Sequence, residues 1–375
     1  MTIDSNAIEG SSSPCRVDLP TGQVNTWLSD ALTMRVGVPH RSGSLAFHAF
    51  QQGYPAMISA SAFWNPAGRC FRYQDASDVH ELDFALDSAG FTAMQNWKRK
   101  GAQPGIGKIY PWSYEQYVEL ASVHQPTWWA QPDACCEKEI ASSQDEVDYR
   151  VNATATMLEG TLRVLWEWQN QLADKIRADG LGGDPAATAR VVANTLKPCV
   201  PVLQGWTVDD YLRSLDMMMS VWERWTPWLA PPTLIGLGSV CRRNLHDPLH
   251  GLYAVLEGLD GRLPAGSSLH LFGVKGQCLS RVKNMDWIAS ADSMAYDFSA
   301  RVNARRAGVS NTMDLRTAEM TRWMIRANKN LQGEQVAAVD EGTERVDMLA
   351  EEDAGGDIGY DAPQDPIHEA PRHRG

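Results

Sequence analysis

The sequence predicts an α/β protein on a parallel sheet, with a (β/α)8 TIM barrel as the first choice and a doubly wound open sheet as the alternative. Three observations carry this reading. Seven short apolar runs alternate with helical stretches. The runs are apolar on both faces, as parallel strands covered on both sides should be. No G-x-G-x-x-G follows an early run, which lowers the dinucleotide-binding version of the open sheet.

The runs, in order, are "PAMISASAF" (55–63), "ELDFALDSAG" (81–90), "TWWAQPDACC" (127–136), "KPCVPVLQGW" (197–206), "PTLIGLGSV" (232–240), "SLHLFGVKG" (268–276) and "MDWIASADSMA" (285–295). An eighth strand is left without a position. Between the runs, Ser113 with Gln116 and Thr207 with Asp210 have the spacing of helix N-terminal capping boxes. Residues 144–178 carry Leu, Val and Trp at three-to-four spacing and predict one long amphipathic helix. The Met and Trp stripe of "LDMMMSVWERW" reads as core.

The 375 residues divide into an N-terminal extension (1–45), rich in Ser, Pro and Gly; the barrel domain (46–330); and an acidic tail (331–375). The tail holds twelve acids against three arginines, so it carries −9 of the net −12. It is poor in aromatic residues, cannot bury enough surface to offset ordering entropy, and is expected to be disordered. The first 330 residues are then only −3, with basic clusters at 98–100 ("KRK"), Arg242-Arg243 and 301–306 ("RVNARR"). Singly, such clusters read as solvated helix faces and caps. Local potential outweighs the total, so the acidity does not exclude a nucleic-acid groove.

No run of about 18 apolar residues exists, so no spanning helix and no membrane partner are expected. The polar N-terminus shows no basic-then-apolar leader. The seven cysteines (Cys15, Cys70, Cys135, Cys136, Cys199, Cys241, Cys278) are odd in number, scattered and without C-x-x-C, which suits reduced thiols in a cytoplasm. The histidines are dispersed, so neither a metal nor a cofactor is expected.

In a barrel the chemistry gathers at the carboxyl ends of the strands. The runs end in Asp87-Ser88-Ala89-Gly90, Asp133, Gln204-Gly205, Gly238-Ser239, Gly273 with Lys275, and Asp292-Ser293. One such Asp is ordinarily a turn or a helix cap. Several after successive apolar runs point to a site, because like charges held together must bind something or share protons. Paired carboxylates can attack an electrophilic carbon and move a proton, and an anomeric carbon is a natural target. The pattern alone gives a barrel enzyme acting on a glycosidic bond.

These same segments resemble the tRNA-guanine transglycosylase superfamily. "LDSAGF" (86–91), "VLQGW" (202–206), "IGLGSV" (235–240), "LHLFGVK" (269–275) and "ADSMAY" (291–296) match its motifs in order and spacing, over roughly residues 55–330. "VLQGWTVDDYL" and "IGLGSVCRR" are most similar to the phage and bacterial 7-deazaguanine DNA transglycosylases, the DpdA-like branch. The superfamily's cysteine-rich zinc site after the nucleophile has no counterpart beyond Cys278, and the bacterial L-P-T-R segment is missing, which disfavours zinc and a tRNA substrate.

The resemblance implies a pentosyltransferase that replaces guanine in DNA with a preQ0-type 7-deazaguanine through a covalent aspartyl-sugar intermediate. It implies DNA and the free base as partners, and protection of phage DNA from restriction in the host cytoplasm. Asp292 would be the nucleophile and Asp87 the general acid/base, with Ser88 beside it. Asp133 would accept from the guanine N1–H and 2-amino group. Gln204 and the Gly238 N–H would bind the O6 side, with Gly205 and Ser239 completing the base site. Arg242, Arg243, Lys275, Arg301, Arg305 and Arg306 would meet phosphates. A tRNA enzyme and a non-catalytic nucleic-acid-binding barrel are the alternatives.

Overall fold

The computed structural model describes residues 32–39, 43–73, 79, 81–181 and 183–332. Cys15 and the acidic segment from 333 onward lie outside the described residues. In chain order the strands are β1 (Thr33–Val38), β2 (Ala56–Ser59), β3 (Trp64–Asn65), β4 (Cys70–Phe71), β5 (Phe84–Asp87), β6 (Val202–Leu203), β7 (Leu234–Leu237), β8 (Ser268–Leu271) and β9 (Ile288–Ser293). Seven of them form one curled, all-parallel sheet in the order β5-β2-β1-β9-β8-β7-β6, while β3 and β4 pair separately and antiparallel. The α-helices are α1 (Ser44–Gln52), α2 (Gly90–Lys100), α3 (Tyr114–His124), α4 (Gln144–Ala178), α5 (Pro185–Thr195), α6 (Val208–Glu223), α7 (Leu252–Leu259), α8 (Leu279–Val282), α9 (Ala295–Ala307) and α10 (Met313–Gln332). The α/β class with a parallel sheet is borne out.

Two strand expectations are corrected. The first strand of the sheet, β1, lies inside the segment read as an N-terminal extension. Its sequence, TMRVGV, hides the apolar run because Arg35 and Gly37 interrupt it. Arg35 is nonetheless buried, donating to Ala56 O (3.2 Å) and pairing with Asp83 (3.1 Å). Gly37 has no room for a side chain, since a Cβ would stand 2.0 Å from Met294 Cγ.

The run at 127–136 forms two single parallel bridges, Leu86 to Trp129 and Ala130 to Val200, instead of a strand. Backbone bonds from Thr127 to Phe84 (2.8 Å), Ala130 to Leu86 (2.9 Å) and Gln131 to Val200 (2.9 Å) carry it between the β5 and β6 edges of the sheet. Pro132 follows and has no N–H to continue a ladder. The Gln131 side chain takes over, accepting from Val202 N (3.1 Å) and donating to Thr154 O (2.9 Å).

Side chains alternate along the strands. Leu86, Leu203, Ile235, Leu269 and Leu271 join the large core with the helices. Ala85, Val202 and Leu234 instead join Met57, Trp128, Ala130 and Val200 in a second cluster. Stepping two residues along the strands from Ala85 and Val202 reaches Asp87 and Gln204.

The helices follow their signals. Both capping boxes are present, Ser113 with Gln116 and Thr207 with Asp210. The 144–178 helix is capped by Ser143, which accepts from Glu146 N, and it buries Val147, Val151, Leu158, Leu162 and Leu165 on one face. The basic clusters at 98–100 and 305–306 occupy the last turns of α2 and α9, where cations suit the helix dipole. Among the described residues no helix is long and apolar enough to cross a membrane.

Candidate active site

Serine, aspartate, glutamine and serine side chains from four segments join in one hydrogen-bonded row. Ser88 donates to Asp133 Oδ1, and the Gln204 amide nitrogen donates to Asp133 Oδ2. Gln204 Oε1 accepts from the Ser239 hydroxyl (2.5 Å), and that hydroxyl accepts from Cys136 N (2.6 Å). All four side chains are buried. The donors fix the glutamine amide: its oxygen faces a hydroxyl and its nitrogen a carboxylate. Tyr110, also buried, lies 3.1 Å from Ser88 Oγ and holds the Asp133 backbone N–H (2.9 Å). Burial pushes the Asp133 carboxyl up, and these donors pull it back.

Asp87 ends β5 and Asp292 lies near the end of β9. Asp87 Oδ2 accepts from Ala89 N (2.9 Å). Ala89 sits at φ 68°, a left-handed conformation that favours glycine, at the N-cap of α2. Burial, and then the charges of Asp133 and Asp292, push the Asp87 carboxyl up to about 7 against the pull of the Ala89 N–H and the Ser59 hydroxyl. Asp292 Oδ1 accepts from Gly273 N (2.9 Å) and lies 3.2 Å from His270 Nε2. Gly273 adopts φ 66°, which aims its N–H at the carboxylate in a turn suited to glycine.

The structure therefore brings Asp87, Ser88, Asp133, Gln204, Ser239 and Asp292 together. It corrects other expectations. The Gly238 N–H is not open to a base, because it donates to Leu203 O (3.0 Å) in the sheet ladder. Gly238 is small because Gln204 lies across it, 2.2 Å from where a Cβ would stand. The Gly205 carbonyl accepts from Arg243 (3.1 Å), and a Cβ there would meet Asp210 at 2.8 Å, so this glycine serves packing.

Arg243 is not a phosphate contact. It is buried, and its guanidinium donates to Ser239 O, Trp206 O, His250 O, Gly205 O and Tyr211 Oη. Five donors are all the group has. It stacks on Trp206 at 4.2 Å and pins the loops behind the row. Arg305 and Arg306 are carried to the far end of α9, about 15 Å of helix rise from its start. Arg301 pairs with Asp297 (3.8 Å) on the same helix. Arg242 is half-buried, its guanidinium 3.9 Å from Glu139 and 5.3 Å from the ring of Phe91, one residue beyond Gly90. Lys275 is half-buried, two residues after Gly273.

Three further residues enter that the sequence reading gave no role: His270, Tyr110 and Glu137. Glu137 is buried, within 3.4 Å of the Ser239 hydroxyl, and burial pushes its carboxyl up. His270 lay inside a quoted motif, "LHLFGVK", and its strand position two residues before Phe272 was the signal for it. Tyr110 lies in a loop with no pattern to mark it. Cys135 and Cys136 are buried, and burial pushes both thiols up. The six described cysteines are free thiols. Among the described residues no group of three or more His, Cys, Asp or Glu side chains is placed to hold a metal ion.

Fold and cluster together define a class: an α/β protein with carboxyl groups gathered at the carboxyl ends of parallel strands. Residues 186–357 match the model of one family, DpdA, described as DeoxyPurine in DNA protein A. The match, over a little under half of the chain, bears out the resemblance to the DpdA-like family. The matched span includes Gln204, Ser239, His270 and Asp292, while Asp87 and Asp133 precede it. No curated protein matches the chain.

Proposed function

We propose that the protein exchanges guanine in DNA for a free 7-deazaguanine of the preQ0 type through a covalent intermediate on Asp292. The observation that carries this reading is the pair of acids at the ends of β5 and β9, one of which, Asp87, is poised to change protonation near pH 7. A catalytic acid/base works best when its pKa lies near the working pH.

The steps balance. The Asp292 carboxylate forms a bond to C1′ of a deoxyguanosine as the C1′–N9 bond breaks. The bonding pair leaves with N9, and Asp87 supplies the proton that makes the departing guanine neutral. The incoming base then gives its N9 proton to Asp87 and attacks C1′, and the carboxylate leaves. One proton is lent and returned, so no metal or redox partner is needed.

The row across from the acids suits the base. Guanine N1–H and the 2-amino group are donors and would replace Ser88 and Gln204 on the two oxygens of Asp133. The freed Gln204 nitrogen could then meet O6. The Ser239 N–H, which has no backbone partner among the described residues, would take the part first assigned to Gly238. To enter, the target base leaves the duplex stack at a cost of roughly a few kcal/mol. Arg242 and Lys275 would meet the flanking phosphates. The product would resist nucleases that read guanine, which is the protection the resemblance implies.

The test incubates the protein with a deoxyguanosine-containing duplex and preQ0, digests the DNA and measures the deazapurine nucleoside by mass spectrometry. A parallel arm uses tRNA. Incorporation in DNA supports the reading; incorporation in tRNA alone, or in neither, overturns it.

A further inference from the structure

Asp292 is held from one side by a group that no step above uses. His270 is fully buried on β8, with Nε2 3.2 Å from Asp292 Oδ1 and Nδ1 2.8 Å from Ser290 Oγ. The sheet itself sets this triad: His270 and Ser290 are register partners on β8 and β9, and Asp292 follows two residues on. Ring edges of Trp128 and Phe272 close around the imidazole at 4.7 and 4.6 Å.

The protonation state follows from the partners. A carboxylate only accepts, so Nε2 carries the proton. Nδ1 faces a hydroxyl, which can donate, so it needs none. Burial, helped by the neighbouring Arg35 guanidinium, holds the imidazole pKa down against the upward pull of Asp292, which fits a neutral ring.

A second donor, Gly273 N–H, falls on the same oxygen, Oδ1. Among the described residues Oδ2 accepts no hydrogen bond. An oxygen tied by two donors is the poorer nucleophile and the better anchor. We propose that neutral His270 is a positioning residue for Asp292, holding Oδ1 so that Oδ2 is the atom that bonds to the sugar. The proposal rests on the base-exchange reading. A cationic histidine here would neutralise the nucleophile, whereas a neutral donor orients it.

Two variants and one spectrum test it. His270→Phe keeps a ring but removes the donor, and His270→Gln restores an N–H near the Nε2 position. The expected result is a fall in exchange kcat of about 100-fold for Phe, the scale of a misplaced reacting group, with KM for the base and DNA affinity nearly unchanged. Gln should recover at least about tenfold of that loss. A Phe variant with wild-type kcat, or a folded Gln variant no better than Phe, overturns the proposal.

Independently of activity, 15N spectra of histidine-labelled protein should show one ring with Nε2 protonated and Nδ1 bare from pH 6 to 8, assigned by its absence in His270→Gln. The opposite tautomer or an imidazolium overturns the proposal. Failure of the wild type to exchange any base would instead sink the proposed function, and the spectrum would still judge the histidine.

Discussion

Asp133 is held by side chains, whereas Asp87 and Asp292, besides the Ser59 hydroxyl and the His270 ring, each lean on a backbone amide. Ser88 and Gln204 cover the two oxygens of Asp133, and Gln204 is steadied in turn by Ser239. Asp87 leans on the N–H of Ala89 and Asp292 on the N–H of Gly273, each in a left-handed turn. Side-chain donors can swing away and be replaced by those of a ligand. Turn amides cannot, so they fix an acid in place while leaving it lone pairs to use. The difference separates a surface that can re-pair with a base from two acids set for chemistry.

The largest expected effect breaks the amide-held side. Asp87→Asn keeps an acceptor for the Ala89 N–H but removes the proton carrier, and exchange should fall about 10²–10⁴-fold. The same variant reports on stability. The folded pKa of Asp87 is raised to about 7, so the folded state keeps a proton that the unfolded chain has released. Its contribution is therefore most favourable at acid pH and is lost as pH rises through about 7. Urea unfolding at pH 5 and 8 should show Asn gaining on the wild type as pH rises. Asp133 is coupled to Asp87 by charge, so the difference reports the pair of acids and not Asp87 alone. Equal pH slopes would contradict the assignment.

A smaller effect comes from the side-chain row. Gln204→Ala strands one oxygen of Asp133 and removes the acceptor of the Ser239 hydroxyl, which should lower stability by about 1–3 kcal/mol. KM for the free base should rise while kcat changes less, because the acids are untouched. A loss confined to kcat would erase the distinction between the two sides.

The smallest is Ala89→Gly. An alanine at φ 68° bears left-handed strain that glycine lacks, partly offset by the greater chain entropy of glycine when unfolded. Thermal or urea unfolding should show a gain of about 0.5–1 kcal/mol. A loss of that size would mean the alanine methyl contributes more through packing than the turn costs.

Much of this was legible in the residues. Six of the seven runs became strands of the sheet, because burial on both faces leaves a plain apolar signature. The carboxylates stood out because each followed such a run. What stayed hidden was set by distant partners. β1 was masked by Arg35, whose charge is satisfied by Asp83, 48 residues away. The 127–136 run kept a strand's composition, yet Gln131 and Pro132 turn its ladder into single bridges. Arg242 and Arg243 look alike in sequence, but one is near an aromatic ring and the other has spent all its donors inside. Composition cannot tell a half-buried cation near one carboxylate, as Arg242 is near Glu139 (3.9 Å), from one that faces five oxygens.

The most direct measurement is the intact mass of the protein after a denaturing quench with a deoxyguanosine-containing oligonucleotide, without added base. The account predicts a covalent adduct of protein plus oligonucleotide less one guanine, mapped to Asp292 and absent from Asp292→Ala. A preparation that exchanges base yet forms no adduct, or an adduct that persists in Asp292→Ala, would contradict it.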